Sequence, residues 1–485
     1  MEEGESKKGR VGMRDHTKAA KIILAILPTL FILGSFFYII FGVIRYPFPL
    51  DYGEGLTQYY VRLLQSHGNY FFDIQRSPFA FAAYPPVYFL LTSSFSGLFN
   101  VPTLLAGRLL SVIVTLLAVL VLFGIFHSIS KNKQKSAFFA ALFLVPFFVS
   151  HWAALARVDM LALFFALAGF YVFERYSATG SSLRWFAPIL FSLSFYTKQS
   201  FIAAPIAIIL YLLFTDRKEC LRFFSLCAGL FGGIFLTMNI FTGGQFFLHL
   251  FFYTIAPLDF KALPFGFLLY FLQTFLLLIP AALILKSNVR QVNSPYFIYC
   301  VAGILSVITW AKVGANVNYF IEPFAATLLF SGALILKNEQ KVRSFFRAKE
   351  MSLILIVFQI FFIILGYSLP GVINVSDVAV SSEHGIIDSF VKKTESPILV
   401  EDVGFAEVRN QDAILPDPNQ MEILIKRGVW SENLLIPYCA NRTLNLVVAG
   451  WRLGSFPGFM SCLERNYKMV FRTENHRFYK PKKLL

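Results

Sequence analysis

The apolar stretch AKIILAILPTLFILGSFFYIIFGVI, residues 20–44, and the segment RYPFPLDYGEG that follows it, residues 45–55, decide the fold class of this chain. The apolar stretch is longer than the hydrophobic region of a signal peptide, and no small-residue cleavage site follows it. About 20 apolar residues are enough for a helix to cross a bilayer. We therefore expect a retained transmembrane helix, with the acids Asp51 and Glu54 at the membrane rim beyond its end.

Similar apolar runs recur along the first 370 positions, so this helix is one of several. Of the 485 residues, 56% are hydrophobic and 57 are phenylalanine, and the mean hydropathy is +0.63. These values predict an α-helical polytopic membrane protein and argue against a water-soluble one. About 11 transmembrane helices are expected, at residues 20–44, 103–129, 136–150, 159–175, 185–198, 200–215, 223–242, 263–286, 295–311, 319–336 and 351–370.

The net charge of +15 arises from basic residues that cluster in short loops between the predicted spans. Lys and Arg are enriched in the cytoplasmic loops of membrane proteins, so this distribution indicates topology and does not indicate a nucleic-acid partner. It places the N-terminus in the cytoplasm and the residues after the last span outside. We expect an integral protein of the bacterial inner (plasma) membrane, in contact with the lipid bilayer and not with nucleic acid.

Two further apolar segments, residues 87–100 and 244–257, are too short to be counted as crossings. We interpret them as helices lying at the outer membrane interface. The chain then divides into a transmembrane domain, residues 1–371 with a first outer loop at 45–102, and an extracytoplasmic domain, residues 372–485. Short strand-like runs at 397–400 and 444–448 predict that the second domain is a small soluble α/β unit.

Cys439 and Cys462 both lie in this C-terminal region. In an oxidising compartment the two thiols could form a disulfide, and the sequence leaves that pairing open.

Ionisable residues from distant parts of the chain fall at the outer ends of the predicted helices or just beyond them, whereas the span centres carry almost no charge. These residues are Asp51, Glu54, Arg108, Arg157, Asp159, Lys198, Lys312 and Glu322. Transporters usually place such groups near the membrane midplane. The pattern therefore favours an active site at the membrane interface over a conduction path.

Each of these residues also has a structural interpretation. Asp51 and Glu54 suit a solvated glycine-rich turn, and Asp159 is a natural N-cap for the helix that follows it. Lys198 is long enough to reach the lipid head groups, while Lys312 and Glu322 are spaced to pair across a turn.

No HExxH, CxxC, Walker loop or GxGxxG motif occurs in the required context. Metal-dependent hydrolysis, phosphoryl transfer by a P-loop and Rossmann cofactor binding therefore have no support in the sequence. A carboxylate at the outer interface can take a proton from an acceptor hydroxyl. Cations such as Arg157, Lys198 or Lys312 can stabilise the charge that develops on a phosphate leaving group. Together with an apolar groove for a lipid tail, these groups describe group transfer from a lipid phosphate.

The order of several short motifs resembles the GT-C superfamily of membrane glycosyltransferases, which includes protein O-mannosyltransferases and lipid A aminoarabinose transferases. The motifs are DYGEG at 51–55, YPPVY at 84–88 leading into AGRLL at 106–110, ARVDML at 156–161, TKQ at 197–199 and GANVNYFIE at 314–322. The C-terminal segments EDVG at 401–404, LPDP at 415–418 and GVW at 428–430 are similar to the outer domain of bacterial members. The resemblance covers most of the chain.

The resemblance implies a polyprenyl-phosphate-linked sugar donor and transfer to an extracytoplasmic acceptor (a lipid, a glycan or a protein), usually with inversion. The general base of the family corresponds to Asp51 or Glu54, of which we prefer Asp51, and the acid of the second loop corresponds to Asp159. Many relatives have adjacent Asp and Glu, whereas Tyr52 and Gly53 separate the two acids here. The residues expected to bind substrate are Tyr84, Arg108, Arg157, Lys198, Gln199, Lys312, Asn316, Asn318, Tyr319 and Glu322.

The sequence contains no dedicated metal-ligand cluster, and the resemblance leaves open a requirement for a divalent cation such as Mg²⁺ or Mn²⁺. A membrane glycosyltransferase is the leading hypothesis. It predicts that Asp51→Asn or Glu54→Gln abolishes transfer and leaves folding intact. The alternative is a non-catalytic transporter or binding protein for lipid-linked sugars, which would bind its ligand without forming a product.

Overall fold

The computed structural model describes residues 26–177, 179–287, 292–345, 349–367 and 378–482. The N-terminal basic segment, the first residues of the span predicted at 20–44, the end of the span predicted at 351–370 and the domain boundary predicted at 371/372 lie outside these residues. Within them, the chain forms a bundle of helices followed by a small domain with one β-sheet.

The helices before the C-terminal domain are α1 (Ile26–Arg45), α2 (Tyr52–His67), α3 (Val87–Phe99), α4 (Thr103–Ser130), α5 (Lys133–Ala141), α6 (Phe147–Ala154), α7 (Asp159–Ser177), α8 (Ala187–Phe195), α9 (Ala203–Thr215), α10 (Arg217–Phe241), α11 (Gln245–Phe247), α12 (Leu263–Ser287), α13 (Pro295–Ser306), α14 (Ile321–Lys337), α15 (Glu339–Phe345) and α16 (Lys349–Tyr367). A π-helical turn, Leu248–Phe252, follows α11. Short 3-10 turns at Val307–Ala311 and Val317–Phe320 flank the loop between α13 and α14.

Six helical segments of the described chain are long and apolar enough to cross a membrane, or seven if one bent pair counts as a single span. The six are Ile26–Arg45, Thr103–Ser130, Asp159–Ser177, Arg217–Phe241, Phe260–Lys286 and Val317–Lys337, and the bent pair is Lys133–Leu144 with Phe147–Ala154, at 78°. The other predicted spans are shorter helices: α8 has 9 residues, and the rest are Ala203–Thr215, Pro295–Ala311 and Ile354–Gly366. The prediction of a helical polytopic membrane protein is confirmed.

The span that ends in α14 is the most enclosed of the six, with 89% of its apolar window buried, whereas α10 has only 11% of its window buried. This difference places α14 at the centre of the bundle and leaves α10 at its periphery, where its apolar side chains suit contact with lipid. Tight packing is visible beside α14, because a Cβ on its Gly332 would lie 2.6 Å from the ring of Phe126 in α4.

The segments predicted to lie at the interface are a single helix, α3, and the irregular run that contains α11 and the π-helical turn. The second segment packs on the loop at 45–102 through His249. Its Nδ1 accepts from the Ala82 amide at 3.0 Å, and its Nε2 lies 2.7 Å from the Phe72 carbonyl oxygen. His249 therefore has a packing role, and burial lowers the pKa of its imidazole to about 4.

The C-terminal domain contains α17 (Val378–Lys392), α18 (Gly404–Glu407), α19 (Pro418–Lys426), α20 (Ile436–Ala440), α21 (Pro457–Asn466), β1 (Ile398–Val400), β2 (Leu446–Ala449), β3 (Tyr467–Arg472) and β4 (Arg477–Pro481). The sheet order is β1-β2-β4-β3, with β1 and β2 parallel and the other pairs antiparallel. The predicted α/β character is confirmed. Strands β1 and β2 coincide with the two apolar runs of the sequence, and every residue of both strands is buried.

This domain rests on the loop at 45–102, which starts just after α1. Arg62 of α2 forms ion pairs of 2.9 Å with Glu407 and Asp412, and the Trp430 indole donates to the Ile74 carbonyl at 2.9 Å. One close approach between them needs a glycine, because a Cβ on Gly55 would lie 2.6 Å from the backbone nitrogen of Gly404. The second glycine of DYGEG is therefore required by contact between the two domains.

Cys439 and Cys462 are both buried in the C-terminal domain and both are free thiols in the structure. Burial raises the pKa of the Cys439 thiol, and the neighbouring Cys462 raises it further.

Candidate active site

Asp51 is the N-cap of α2 and faces the turn between α6 and α7. Its Oδ1 accepts from the Gly53 amide at 2.9 Å and from Arg157 Nη1 at 2.8 Å. The side chain is 21% exposed, and no described residue donates to its second oxygen, Oδ2. A Cβ on Gly53 would overlap the Arg157 guanidinium, so the glycine leaves room for Arg157 beside Asp51. Asp51 therefore presents an accessible carboxylate oxygen beside a fixed positive charge.

Glu54 has a different environment, although it lies one helical turn further on. It is fully buried and accepts from the amides of Leu50 and Ala156, each at 2.8 Å. Arg108 forms a bidentate pair with it, from Nε at 2.9 Å and from Nη2 at 2.7 Å. The remaining Arg108 donors reach carbonyl oxygens at the end of α1 and just after it, those of Val43, Tyr46 and Phe48. This pair therefore ties α1, α2, α4 and the turn before α7 together.

Asp159, the first residue of α7, holds two other elements at the site. Its Oδ1 accepts from Lys198 Nζ at 2.6 Å and from Asn318 Nδ2 at 2.8 Å. Lys198 lies in the turn between α8 and α9, and Asn318 lies in the 3-10 turn before α14. Asp159 is fully buried, and among the described residues its Oδ2 has no hydrogen-bond partner. Its carboxylate thus binds side chains, which differs from the N-cap interpretation.

Lys198 is surrounded by aromatic rings. Its Nζ lies 5.0 Å from the ring centroid of Tyr319, 5.4 Å from that of Phe201 and 6.0 Å from that of Tyr84. These distances suit cation–π attraction. The side chain is only 4% exposed, so the structural interpretation in which it extends to the lipid head groups does not hold. The neighbouring Gln199 donates from Nε2 to the Ala83 carbonyl at 2.9 Å and so fixes the segment that carries Tyr84.

Lys312 lies directly after the 3-10 turn Val307–Ala311, near Lys198. Burial and the Lys198 charge lower the pKa of the Lys312 amine. No acid in the described part of the chain forms an ion pair with it, so the structural interpretation in which Lys312 pairs with Glu322 does not hold. Glu322 instead accepts from the Ala204 amide and the Tyr299 hydroxyl, each at 3.4 Å. Its carboxylate faces the start of α9 because the amides there lack helical partners.

The structure therefore brings most of the predicted residues to one end of the bundle. The group around the accessible carboxylate and the buried lysine consists of Asp51, Tyr84, Arg157, Asp159, Lys198, Lys312, Asn318 and Tyr319. Glu54 and Arg108 lie behind this group as a buried pair. Asn316 is exposed and caps the 3-10 turn, with its Oδ1 accepting from the Val317 amide at 2.7 Å.

Three residues of the C-terminal domain also reach this end, and the sequence did not reveal them. The Tyr52 hydroxyl donates to Asp417 Oδ1 at 3.0 Å, and the Arg452 guanidinium carbon lies 4.3 Å from the centroid of the Tyr52 ring. Burial raises the pKa of Asp402 to about 7, and the nearby charge of Asp51 adds to that shift. The motifs at 401–404 and 415–418 contain both acids, but no local pattern indicates that they fold back onto Tyr52.

Because the pKa of Asp402 is raised in the folded state, the contribution of Asp402 to stability should decrease as the pH rises. A carboxylate of the unfolded chain titrates near pH 4. Between pH 4 and 7 the folded state holds a proton that the unfolded chain has released, so the stabilisation is complete below pH 4 and is lost as the pH rises through 7. Each such group contributes a slope of at most about 1.4 kcal/mol per pH unit.

Asp402→Asn is expected to reduce this slope in thermal unfolding measured from pH 4.5 to 7.5. Some slope should remain, because burial also raises the pKa of Glu407 to about 7. Glu395→Gln removes an exposed acid and serves as the control. An unchanged slope in Asp402→Asn would show that Asp402 is ionised in the folded protein at these pH values.

Within the described residues, no three His, Cys, Asp or Glu side chains are grouped so as to hold a metal ion. The two acids of the candidate site are each already in an ion pair, Asp51 with Arg157 and Asp159 with Lys198. These residues do not form a ligand set for a divalent cation, so no catalytic step is assigned to one. A requirement for Mg²⁺ or Mn²⁺ stays an open prediction.

Comparison with known proteins agrees with this architecture. Residues 83–241, about a third of the chain, match the family described as dolichyl-phosphate-mannose-protein mannosyltransferase. This region contains the Tyr84 motif, Arg108, Asp159 and Lys198. No curated protein matches the chain in sequence.

Among solved structures, the chain is similar to ArnT from Cupriavidus metallidurans in the apo state, with a TM-score of 0.65 and 13% identity over 96% of this chain and 98% of that one. The same protein bound to undecaprenyl phosphate gives a TM-score of 0.63 and 14% identity, over 93% and 97%. The archaeal oligosaccharyltransferase AglB from Archaeoglobus fulgidus gives 0.51 and 13%, over 93% of this chain and 74% of that one. The chain is therefore a polytopic membrane protein with the GT-C fold.

Proposed function

We propose that this protein is a membrane glycosyltransferase that moves a sugar from a polyprenyl-phosphate-linked donor to an extracytoplasmic acceptor. The observation that carries the proposal is the accessible carboxylate of Asp51 at the same end of the bundle as Arg157, Lys198 and Lys312. A base for an acceptor hydroxyl and cations for a phosphate are the two requirements of this reaction. The ArnT structure with undecaprenyl phosphate and the AglB structure with a dolichol-phosphate support the donor class.

In the proposed reaction, Asp51 takes the proton from the acceptor hydroxyl through Oδ2. The acceptor oxygen forms a bond to the anomeric carbon as the bond from that carbon to the phosphate oxygen breaks. The electron pair of the broken bond leaves with the lipid phosphate, which gains negative charge. A single displacement of this kind inverts the anomeric carbon. Glu54 is the weaker candidate for the base because Arg108 and two backbone amides already occupy its carboxylate.

The cations have distinct roles in this proposal. Arg157 and Lys198 are paired with Asp51 and Asp159, so their positions are set before the donor binds. Lys312 has no ion-pair partner in the described chain and lies near another ammonium group. An anionic phosphate between the two lysines would relieve that repulsion. Tyr84, Gln199, Asn316, Asn318 and Tyr319 are proposed to complete the substrate contacts.

The proposed orientation places this end of the bundle and the C-terminal domain outside the cytoplasm, in a bacterial inner membrane. The positive charges of the loops at the opposite end, such as Lys131 and Lys133, support this orientation. A fusion of a periplasmically active reporter to the C-terminus tests it. Activity of the reporter is expected, and an inactive reporter would reverse the topology.

Mass spectrometry of glycolipids, envelope glycans and envelope proteins, from cells with and without this protein, tests the proposed function. A mass difference of one sugar is expected in one of the three fractions, and it should disappear in Asp51→Asn. If none of the three fractions differs, the result favours the alternative of a binding or transport protein without chemistry.

Lys312→Gln is expected to weaken donor binding by about tenfold, because it removes one charge-assisted hydrogen bond to the phosphate. Undecaprenyl phosphate binding to the purified protein in detergent is the measurement. Lys261→Gln is a matched control, since Lys261 is an exposed lysine on the loop before α12. Equal affinities for wild type and both variants would remove Lys312 from the phosphate site.

A further inference from the structure

A cavity lies in the C-terminal domain, separate from the carboxylates and lysines of the candidate active site. Its volume is about 310 Å³, within the range of small-molecule pockets. One wall is the loop that follows β2, with Gly450, Trp451 and Gly454. The other wall is the turn between β3 and β4, with Arg472 and Arg477 at its two ends and Glu474 within it, so the two arginines outnumber the one acid of the lining.

Arg472 and Arg477 indicate the charge of a ligand for this cavity. They are register partners across the β3–β4 hairpin, so their side chains project from the same face and close together. Like charges directly opposite each other destabilise a hairpin. No acid in the described part of the chain forms an ion pair with either arginine. A bound carboxylate or phosphate would relieve the repulsion, and guanidinium groups bind both anions in a bidentate manner.

Trp451 indicates the chemical character of the uncharged part of the ligand. Its side chain is 66% exposed at the cavity wall, and the Arg452 guanidinium carbon lies 4.6 Å from its ring centroid. An exposed indole offers a rigid apolar face next to polar groups. The turn residues Thr473 and Asn475 also line the cavity, and their side chains are hydrogen-bonded to Glu383. One apolar face surrounded by polar and cationic groups suits the ring of a saccharide that carries an anionic group.

Both walls are held in place by buried or half-buried carboxylates. Glu401 accepts from the amides of Gly450 at 2.7 Å, Leu453 at 3.0 Å and Arg452 at 3.2 Å. On the opposite wall, Glu383 of α17 accepts from three residues of the turn, namely Thr473, Asn475 and His476. Walls fixed before binding reduce the ordering cost of a ligand.

The loop after β2 connects this cavity to the candidate active site. Arg452 lies between the ring of Trp451 on the cavity side and the ring of Tyr52 on the other, at 4.6 Å and 4.3 Å. Tyr52 directly follows the proposed base, Asp51. We infer that the cavity is an acceptor subsite that binds an anionic saccharide, with Trp451 stacked on a sugar ring and Arg472 and Arg477 on its carboxylate or phosphate. Its assignment to the acceptor rests on the proposed function.

Binding to the full-length protein in detergent tests this subsite by calorimetry. The probes are trigalacturonic acid and glucose 6-phosphate, which separate a carboxylate from a phosphate, and maltotriose as a neutral trisaccharide. At least one anionic probe should bind at least tenfold more tightly than maltotriose. Arg472→Gln/Arg477→Gln and Trp451→Ala should each weaken that probe by about tenfold or more. The control, Lys468→Gln/Lys480→Gln, removes the same charge from another cross-strand pair of this hairpin.

The control variant should bind the anionic probe as wild type does, and all variants should retain undecaprenyl phosphate binding. The inference is overturned if neither anionic probe binds, if the lysine control loses as much affinity as the arginine variant, or if vesicles of phosphatidylglycerol displace the probe, which would indicate a lipid contact. Failure of this inference can be distinguished from failure of the proposed function. Loss of transfer without loss of probe binding concerns Asp51 and the lysines, whereas retained transfer with no probe binding concerns this cavity alone.

Discussion

Asp51→Asn is expected to lower the rate of sugar transfer by about a thousandfold, the size of effect that general-base catalysis supplies. An amide has the shape of the carboxylate but cannot accept the proton of the acceptor hydroxyl. The side chain would still cap α2, because asparagine is as good an N-cap as aspartate. Its amide oxygen can also keep a hydrogen bond from Arg157. The measurement is transfer by purified protein in liposomes that contain the lipid-linked donor.

Two controls separate loss of chemistry from loss of structure. Undecaprenyl phosphate should bind Asp51→Asn as it binds wild type, and the midpoint of thermal unfolding should change little. Asp51→Ala removes the cap as well as the base, so it should lose about 1 kcal/mol of stability in addition to activity. A transfer rate in Asp51→Asn within a few fold of wild type would show that another group is the base.

Arg108→Met is expected to reduce the free energy of unfolding by about 3–5 kcal/mol, the cost of leaving a buried charge without its partner. Glu54 would lose both bonds of the bidentate pair while its side chain stays 0% exposed. The carbonyl oxygens of Val43, Tyr46 and Phe48 would also lose their donor. Thermal unfolding of the purified protein in detergent measures the change.

Arg222→Met is the matched control for Arg108→Met. Arg222 also pairs with a carboxylate, that of Glu219 at 3.0 Å, but its side chain is 69% exposed, and Arg184 keeps its own pair with Glu219 at 3.0 Å. Exposed pairs contribute at most about 1 kcal/mol, so this variant should unfold close to the wild-type temperature. Equal losses in the two variants would show that the enclosed position of the Glu54–Arg108 pair has no special effect. Because Glu54 is buried in its pair with Arg108, Glu54→Gln should lower stability as well as transfer.

The sequence predicts well which ionisable residues meet at one face of the membrane, and it predicts the helices inside the bundle less well. Asp51, Arg157, Asp159 and Lys198 were expected at one face of the membrane, and the structure brings them together. That expectation needs only the positions of apolar runs and basic loops, which are local properties of the chain. The shorter helices α8 and α9 are harder to predict from the sequence, because a turn that bends into the site interrupts an otherwise continuous apolar run.

The different roles of Asp51 and Glu54 depend on tertiary contacts. Both acids occupy the same short motif, and nothing within the motif shows which one will be enclosed. Arg108 comes from α4 and the Ala156 amide from the turn before α7, and only their arrival saturates Glu54. The two glycines of the motif are likewise explained by tertiary contacts. Gly53 makes room for Arg157 and Gly55 for Gly404, and both partners are distant in sequence.

The sequence by itself determined that this protein crosses the membrane many times, that its polar residues gather at one end, and that a small α/β domain follows. Hydrophobic run length and strand burial are properties of consecutive residues, so they can be read without the fold. Only the tertiary structure decided which carboxylate is accessible and which lysine has an ion-pair partner. It also decided that Arg452 lies between the rings of Trp451 and Tyr52. These properties depend on which distant side chains remove water from a group and hydrogen-bond to it.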